Sequence, residues 1–514
     1  MPTQYDSKRH VKVRDLFPEI IEGYFDCCSI AIPTKFARRL SNAVADKYFE
    51  EDVNTDKFRS WQQKIAELTR KEIAGYFGTN PKNISYGNNT TDCIDVVMHL
   101  LQVKPNDEVI LTEAEYEPTK LSFRYAIPGY VNNILHVLKK LKKGMQSLSL
   151  SQIYEMGLTI QNYGLLSGSL TPRNLGWHLE ALDTEKIKAA YNTPLRTTTV
   201  PLGKDNEEFM EILESAISDK TKILYISHVT RTNGRILPIE KVGEIARKHS
   251  TKSNRIYTLI DGALAPGGIN PKELQLDKIG IDFYATCGHK LLLGEPATGI
   301  LYSNSEHLGL VENLLKSSYK PLLKEFQFHP ELGIDPEIRG EVEKLKSKLR
   351  TLSSDYLLRM IDLPHLYPAA IAQTEVKRTY LDEPFPVSYW LNHISSFRIS
   401  MPEVTSLNYS LQLLKGFGWD KLENNQRELR NMTVEGLKKI PNLKIYSPLD
   451  GSGSPAILSF SFKGADPREL REKLEKQGIK LSYIDNPESL RVSFSLPNNE
   501  EDVTKLLKKL NESL

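Results

Sequence analysis

A lysine closes the mainly apolar run Ile281-Asp282-Phe283-Tyr284-Ala285-Thr286-Cys287-Gly288-His289-Lys290, and a second apolar run, Leu291-Leu292-Leu293, follows at once. An ammonium set between apolar runs is costly to bury without a partner, and the usual escapes are a depressed pKa or covalent use of the amine. Lys290 is therefore a candidate Schiff-base lysine, with a strand-end lysine reaching into solvent as the plain alternative. Other chemically capable residues stand at comparable places. Asp261 follows the β-rich run 255–260, and Ser227 and His228 follow 222–226. Tyr116 comes soon after 107–112, and Asn89-Thr90-Thr91 lie between the short run 83–86 and the apolar-periodic segment 93–101.

These positions require elements that end together. Runs 83–86, 107–112, 222–226, 255–260, 281–287 and 298–302 read as strands, and segments 93–101 and 238–248 read as helices, the second with Pro238 at its start. Strands alternating with helices predict a mostly parallel sheet with helices on both faces, and ligands of such sheets bind at the strand ends. A strand, a polar turn and a helix over 83–101 would aim free N–H groups at an anion, although Asn and Thr are also ordinary helix caps. Residues 1–75 read as an N-terminal helical arm, with 25–33 an irregular crossing. Residues 76–305 form the large domain, with an insertion at about 118–200. Residues 306–400 read as a helical insertion or connector with a charged core at 335–362, and 401–514 as a small α+β domain. Lys139-Lys140-Leu141-Lys142-Lys143 reads as a solvated helix face. Gly451-Ser452-Gly453-Ser454 leads into a strand and reads as a hairpin turn.

Composition narrows the class further. At 514 residues, with 40% hydrophobic and 26% charged residues, the chain has the make-up of a multidomain globular protein. A formal net charge of +2 gives no footprint for nucleic acid or a membrane surface. The four cysteines, Cys27, Cys28, Cys93 and Cys287, have neither zinc-ligand spacing nor a disulfide framework, so no metal is expected and a reducing, cytoplasmic location fits. No apolar run reaches signal-peptide or membrane-spanning form. No G-x-G-x-x-G or phosphate-loop pattern occurs, which speaks against a nucleotide.

A lysine for an imine, a carboxylate to keep a pyridine nitrogen protonated, an anion cradle and a planar cover are the parts that pyridoxal 5'-phosphate needs. The chain resembles the fold-type I pyridoxal-phosphate enzymes of the class V aminotransferase group, which includes cysteine desulfurases, isopenicillin-N-epimerase-like proteins and kynureninases. The resemblance rests on Ser227-His228-Val229 through Gly234-Arg235-Ile236-Leu237-Pro238-Ile239, on Asp261-Gly262-Ala263-Leu264-Ala265-Pro266-Gly267, on Asp282-Phe283-Tyr284 through Gly288-His289-Lys290-Leu291, and on Leu490-Arg491-Val492-Ser493-Phe494 with Asn498 and Glu500-Glu501. It implies Lys290 as the cofactor-binding lysine and general base, His289 and the Asn89-Thr90-Thr91 turn as phosphate contacts, and Asp261 as the pyridine-nitrogen partner. It also implies a mostly parallel sheet of seven strands, Tyr116 as the stacking ring, His228 as a catalytic histidine packed near the cofactor, Arg491 as the grip on a substrate carboxylate, and a homodimer.

Departures from the family pattern accompany the matches. Leu264 stands where a donor to the phenolic oxygen is common, Cys287 where a phosphate-binding serine is usual, and Ser400-Met401 where the partner-subunit Gly-Thr is found. Arg231 stands where desulfurases have Asn, and is read as a substrate contact that replaces that polar group or binds a second acid, or else as an arginine turned to solvent. A desulfurase needs a mobile cysteine before its small domain, and no cysteine lies beyond Cys287. The expected function is that of a pyridoxal-phosphate enzyme acting on a small-molecule amino acid by imine formation and proton transfer at the α-carbon, of class V aminotransferase type. A β-eliminating C–S lyase or an epimerase is the alternative, and a non-catalytic scaffold the alternative of a different class.

Overall fold

The computed structural model describes residues 13–51, 55–101, 103, 106–120, 123, 195–307 and 400–514. Two helices come first, α1 (Lys35–Glu50) and α2 (Asp56–Phe77), capped by the Thr34 and Thr55 hydroxyls. The large sheet is built from β1 (Ile84–Gly87), β2 (Glu108–Thr112), β3 (Arg196–Val200), β4 (Thr221–Ser227), β5 (Tyr257–Asp261), β6 (Phe283–Cys287) and β7 (Gly299–Ser303). Its spatial order is β1-β7-β6-β5-β4-β2-β3, with β3, β2, β4, β5 and β6 parallel and β7 antiparallel to both its neighbours. The mostly parallel seven-stranded sheet is thus present. Its central strands β2, β5 and β6 are buried throughout because helices cover both faces. α3 (Thr90–Leu101) packs on one face, where Val97, Leu111, Tyr225 and Phe283 form a core, while α4 (Asn206–Ser215), α5 (Ile239–His249) and the single turn α6 (Leu276–Ile279) contribute to the core on the other.

The second sheet is antiparallel. After α7 (Met401–Phe417) and α8 (Trp419–Leu437) come β8 (Leu443–Ile445), β9 (Ile457–Phe462), α9 (Pro467–Lys476), β10 (Ser482–Asp485), β11 (Glu488–Ser493) and α10 (Glu500–Ser513), with strand order β10-β11-β9-β8. The Gly451–Ser454 turn joins β8 to β9 as a hairpin loop, and docks on the large sheet's flank through Ile236 N to Ser452 O at 2.8 Å and Ser454 N to Gly234 O at 2.8 Å. β3, α4, α6 and α8 lack a sequence expectation. β3 falls within the stretch read as an insertion, because Arg-Thr-Thr-Thr-Val is a largely exposed edge strand without an apolar face. α8 is amphipathic but highly polar. The lysine-rich run 139–143 and the charged segment 335–362 lie outside the described residues.

Candidate active site

The loop after β6 sets the lysine. Gly288 allows the chain to pass close to α7, where a Cβ would meet Leu407 Cδ1 at 2.6 Å and Thr298 Oγ1 at 2.9 Å. Leu293 takes a left-handed φ of 60°, and Gly294 N returns to Gly288 O at 2.8 Å, so a short closed turn presents Lys290. Lys290 opens into a cavity of about 620 Å³. Its walls include Asn89, Thr90 and Thr91 from the start of α3, Tyr116 after β2, Ser227, Val229 and Arg231 after β4, Asp261 and Leu264 at and after β5, Cys287 and His289 beside the lysine, and Arg491 from β11.

Asp261 is buried, and Tyr225 Oη donates to its Oδ2 at 2.8 Å while the Ala263 N–H donates to its Oδ1 at 2.9 Å. These two donors orient its carboxyl at the cavity wall. At the start of α3, Asn89 Oδ1 caps the helix by accepting from Asp92 N at 2.9 Å. The N–H groups of Thr90 and Thr91 belong to the first helical turn and have no intrahelical acceptor by position. The buried Thr90 hydroxyl lies beside the Cys287 thiol and has no other hydrogen-bond partner among the described residues. His289 Nδ1 is likewise buried and unpartnered there, and burial, with the Lys290 charge adding to it, holds this ring down at about 4, neutral at pH 7. Orphaned donors around a helix start are what a bound phosphate would satisfy.

Arg491 is 4% exposed. Its Nη1 donates to Arg231 O at 3.1 Å, its Nη2 to Ser482 Oγ at 2.8 Å and to Ser29 Oγ at 3.3 Å, and its Nε has no partner among the described residues. Asp26 stands 3.9 Å from Nη2 and accepts from the Ser29 hydroxyl at 2.7 Å. This guanidinium is therefore held in place with donor capacity left over for a carboxylate. Tyr116 is 46% exposed, open to cover a planar ligand.

Of the remaining expected site residues, Arg231 lines the cavity and His228 does not. His228 was expected to be catalytic and to pack near the cofactor. Among the described residues its Nδ1 pairs with Tyr284 Oη at 3.0 Å, its ring meets that of Tyr284 edge-on, and it is absent from the cavity wall. Burial holds it near 3, so it is neutral at working pH. Its backbone N–H to Asp261 O, at 2.8 Å, keeps the two strand ends together. Arg231 is not turned to solvent: it lines the cavity, and its Nη2 pairs with Asp485 Oδ1 at 2.9 Å on the tip between β10 and β11.

Other wall residues had no local signal. Cys28 and Ser29 arrive from the irregular crossing, which is held by Phe25 N to Lys480 O at 2.7 Å, Ser493 N to Phe25 O at 2.8 Å and Ala31 N to His289 O at 2.7 Å. Burial pushes the Cys28 thiol up, with the Arg491 and Lys290 charges opposing. Ser482, Tyr483 and Ile484 arrive from β10. The four cysteines are free and buried, and no group of three or more metal-ligating side chains occurs among the described residues. No helix among them is long and apolar enough to cross a membrane.

A lysine, a buried aspartate and a helix start that line one cavity at the strand ends of a mostly parallel sheet are the site of a pyridoxal-phosphate enzyme of fold type I. The profile of the family described as Aminotransferase class-V matches residues 185–328 and 396–506. The chain belongs to this class V group of pyridoxal-phosphate enzymes. It is 23% identical over 400 residues to a probable cysteine desulfurase of Halalkalibacterium halodurans, covering 73% of this chain and 80% of that one. It is 22% identical over 449 residues to an isopenicillin N epimerase of Amycolatopsis lactamdurans, covering 86% and 83%. Among solved structures, the complex of the cystine C–S lyase C-DES with its product cysteine persulfide aligns with a TM-score of 0.62 at 16% identity, over 95% of this chain and 97% of that one. The cysteine desulfurase CsdA of Escherichia coli aligns with a TM-score of 0.59 at 16% identity, over 97% of each.

Proposed function

We propose that the chain is a class V aminotransferase-type enzyme that transforms an amino acid by proton transfer at its α-carbon, with Lys290 as the Schiff-base lysine and proton carrier. The observation that carries this reading is that Lys290, Asp261, Arg491 and the α3 start line one cavity. When bound, pyridoxal phosphate supplies an aldehyde for the substrate amine and a ring that takes up the electron pair left at the α-carbon. Asp261 would hold a proton on the ring nitrogen, because an anion at close range stabilises the pyridinium. The N–H groups of Thr90 and Thr91, with Asn89, the Thr90 hydroxyl, Cys287 and His289, would hold the phosphate. Tyr116 would cover the ring and Arg491 would orient the substrate by its carboxylate. Lys290 would bind the cofactor and carry the α-proton of the substrate. The reading extends to a homodimer in the cytoplasm, with a large domain over 76–305 and a small one over 401–514.

The test is colour. Purified protein given pyridoxal phosphate is expected to develop a visible band that borohydride bleaches and fixes. A colourless protein that takes up no cofactor would end the proposal. Candidate amino acids then separate the reactions: transamination gives a pyridoxamine form and a keto acid, epimerisation a racemised amino acid, and β-elimination pyruvate with a released thiol. A cofactor-loaded protein that changes none of them points to a scaffold.

Arg231 adds a prediction about the substrate side chain. Its pair with Asp485 is 30% and 70% exposed, and an exposed pair contributes only about 0–1 kcal/mol, so a substrate acid can displace Asp485. Arg231→Ala is expected to raise KM for amino acids with a second acidic group about tenfold and to leave those without one unchanged. Asp485→Ala is expected to move KM for the acidic substrates the other way. Equal effects on both substrate classes would remove Arg231 from the specificity set.

A further inference from the structure

Behind the cavity wall lies a carboxyl that the proposed chemistry does not use. Glu115 precedes Tyr116 and is 3% exposed. Its Oε1 accepts from Ser227 N at 3.0 Å and from Thr112 Oγ1 at 2.6 Å, and its Oε2 accepts from the Ser227 hydroxyl. Thr112 ends β2 and Ser227 ends β4, so a single side chain ties two neighbouring strand ends just beyond their last ladder pair, Leu111 with Tyr225. Ser227 and Tyr116 both line the cavity, and the tie fixes their spacing. The titratable groups that act on Glu115 are Asp261 of β5 and Tyr225 of β4.

We propose that Glu115 is a positioning residue of the cofactor site, which fixes the Thr112–Tyr116 turn against the end of β4 and whose charge sets the field in which Asp261 works. The inference rests on the cofactor lying against Asp261. Burial, with the Asp261 charge adding to it, pushes Glu115 up to about 7, against three hydrogen bonds that favour the anion. Glu115 therefore exchanges its proton across neutral pH. As pH rises through 7, Asp261 gains an anionic neighbour and the ring proton is held more firmly. As pH falls, that neighbour is neutralised. The sign for folding follows from the raised value: the stabilisation is full below the unfolded value of about 4.3 and is lost as pH rises through 7.

The experiment uses the full-length cofactor-loaded protein and reads the visible absorption of the bound cofactor against pH, together with the cofactor dissociation constant. The parent is expected to show an absorbance step centred near pH 7. Glu115→Gln retains an acceptor oxygen and resembles the protonated acid, so it is expected to bind cofactor within about twofold of the parent and to lack that step. Ser227→Ala removes one anion-favouring donor and is expected to move the step to higher pH. Glu115→Ala cuts the tie and is expected to weaken cofactor binding about tenfold. If Glu115→Ala does not fold, the other two variants still decide. A step that persists unchanged in Glu115→Gln overturns the inference and leaves the cofactor reading standing, whereas a parent that takes up no cofactor overturns both.

Discussion

Lys290→Ala is expected to lose the borohydride-fixable band and to lower turnover by about ten-thousand-fold or more, the upper range for removing a positioned proton carrier. Two effects combine under the proposed reading, in which the same amine makes the covalent link and moves the α-proton. His289 cannot substitute as a covalent anchor, because its ring is neutral and carries no primary amine. The fold should survive: Lys290 is partly buried, and the closed turn around it is made by the backbone of Gly288, Lys290, Leu293 and Gly294. An unchanged melting temperature with lost turnover is therefore the expected pair of readings. Partial recovery with a small added amine would separate proton transfer from cofactor anchoring. Turnover within tenfold of the parent would remove Lys290 from the chemistry.

Arg491→Ala is expected to lower kcat/KM by about a hundredfold to a thousandfold, or ~3–4 kcal/mol, mainly through KM. The guanidinium is buried and already bound to Ser482, Ser29 and the Arg231 carbonyl, so a carboxylate meets a donor with no freedom left to lose. Arg491→Lys is expected to recover little, because an ammonium cannot present the planar fork. The cofactor band should remain, since Arg491 sits on the small sheet and the proposed cofactor contacts belong to the large one and its loops. A variant with unchanged KM for every amino acid tested would assign the substrate carboxylate to another group.

Much of the large sheet was legible because its strands are buried on both faces and read as apolar runs of strand length. Strand ends then located Lys290, Asp261, Tyr116 and the Asn89–Thr91 turn, and the cavity brings them together. What stayed hidden was set by contacts remote in sequence or by the direction of a side chain. β3 pairs only at the sheet edge and has no apolar face. The residue after a strand end can turn to either side, and His228 turns to Tyr284 because that phenol supplies its partner. Arg231 finds Asp485 across 254 positions, and Arg491 finds Ser29 across 462. Glu115 reads locally as one acid of a polar turn, and its burial is created by the end of β4.

The crossing at residues 25–33 links both halves of the site through its backbone. It joins Lys480, just before β10, and Ser493 of β11 to the carbonyl of His289, and it delivers Ser29 to Arg491 on the way. Arg491 and Lys290, the proposed substrate and cofactor contacts, thus belong to one mechanical unit, held in register before any ligand arrives. The entropy of bringing those two walls together is met when the chain folds, so each catalytic cycle begins with the ordering already done.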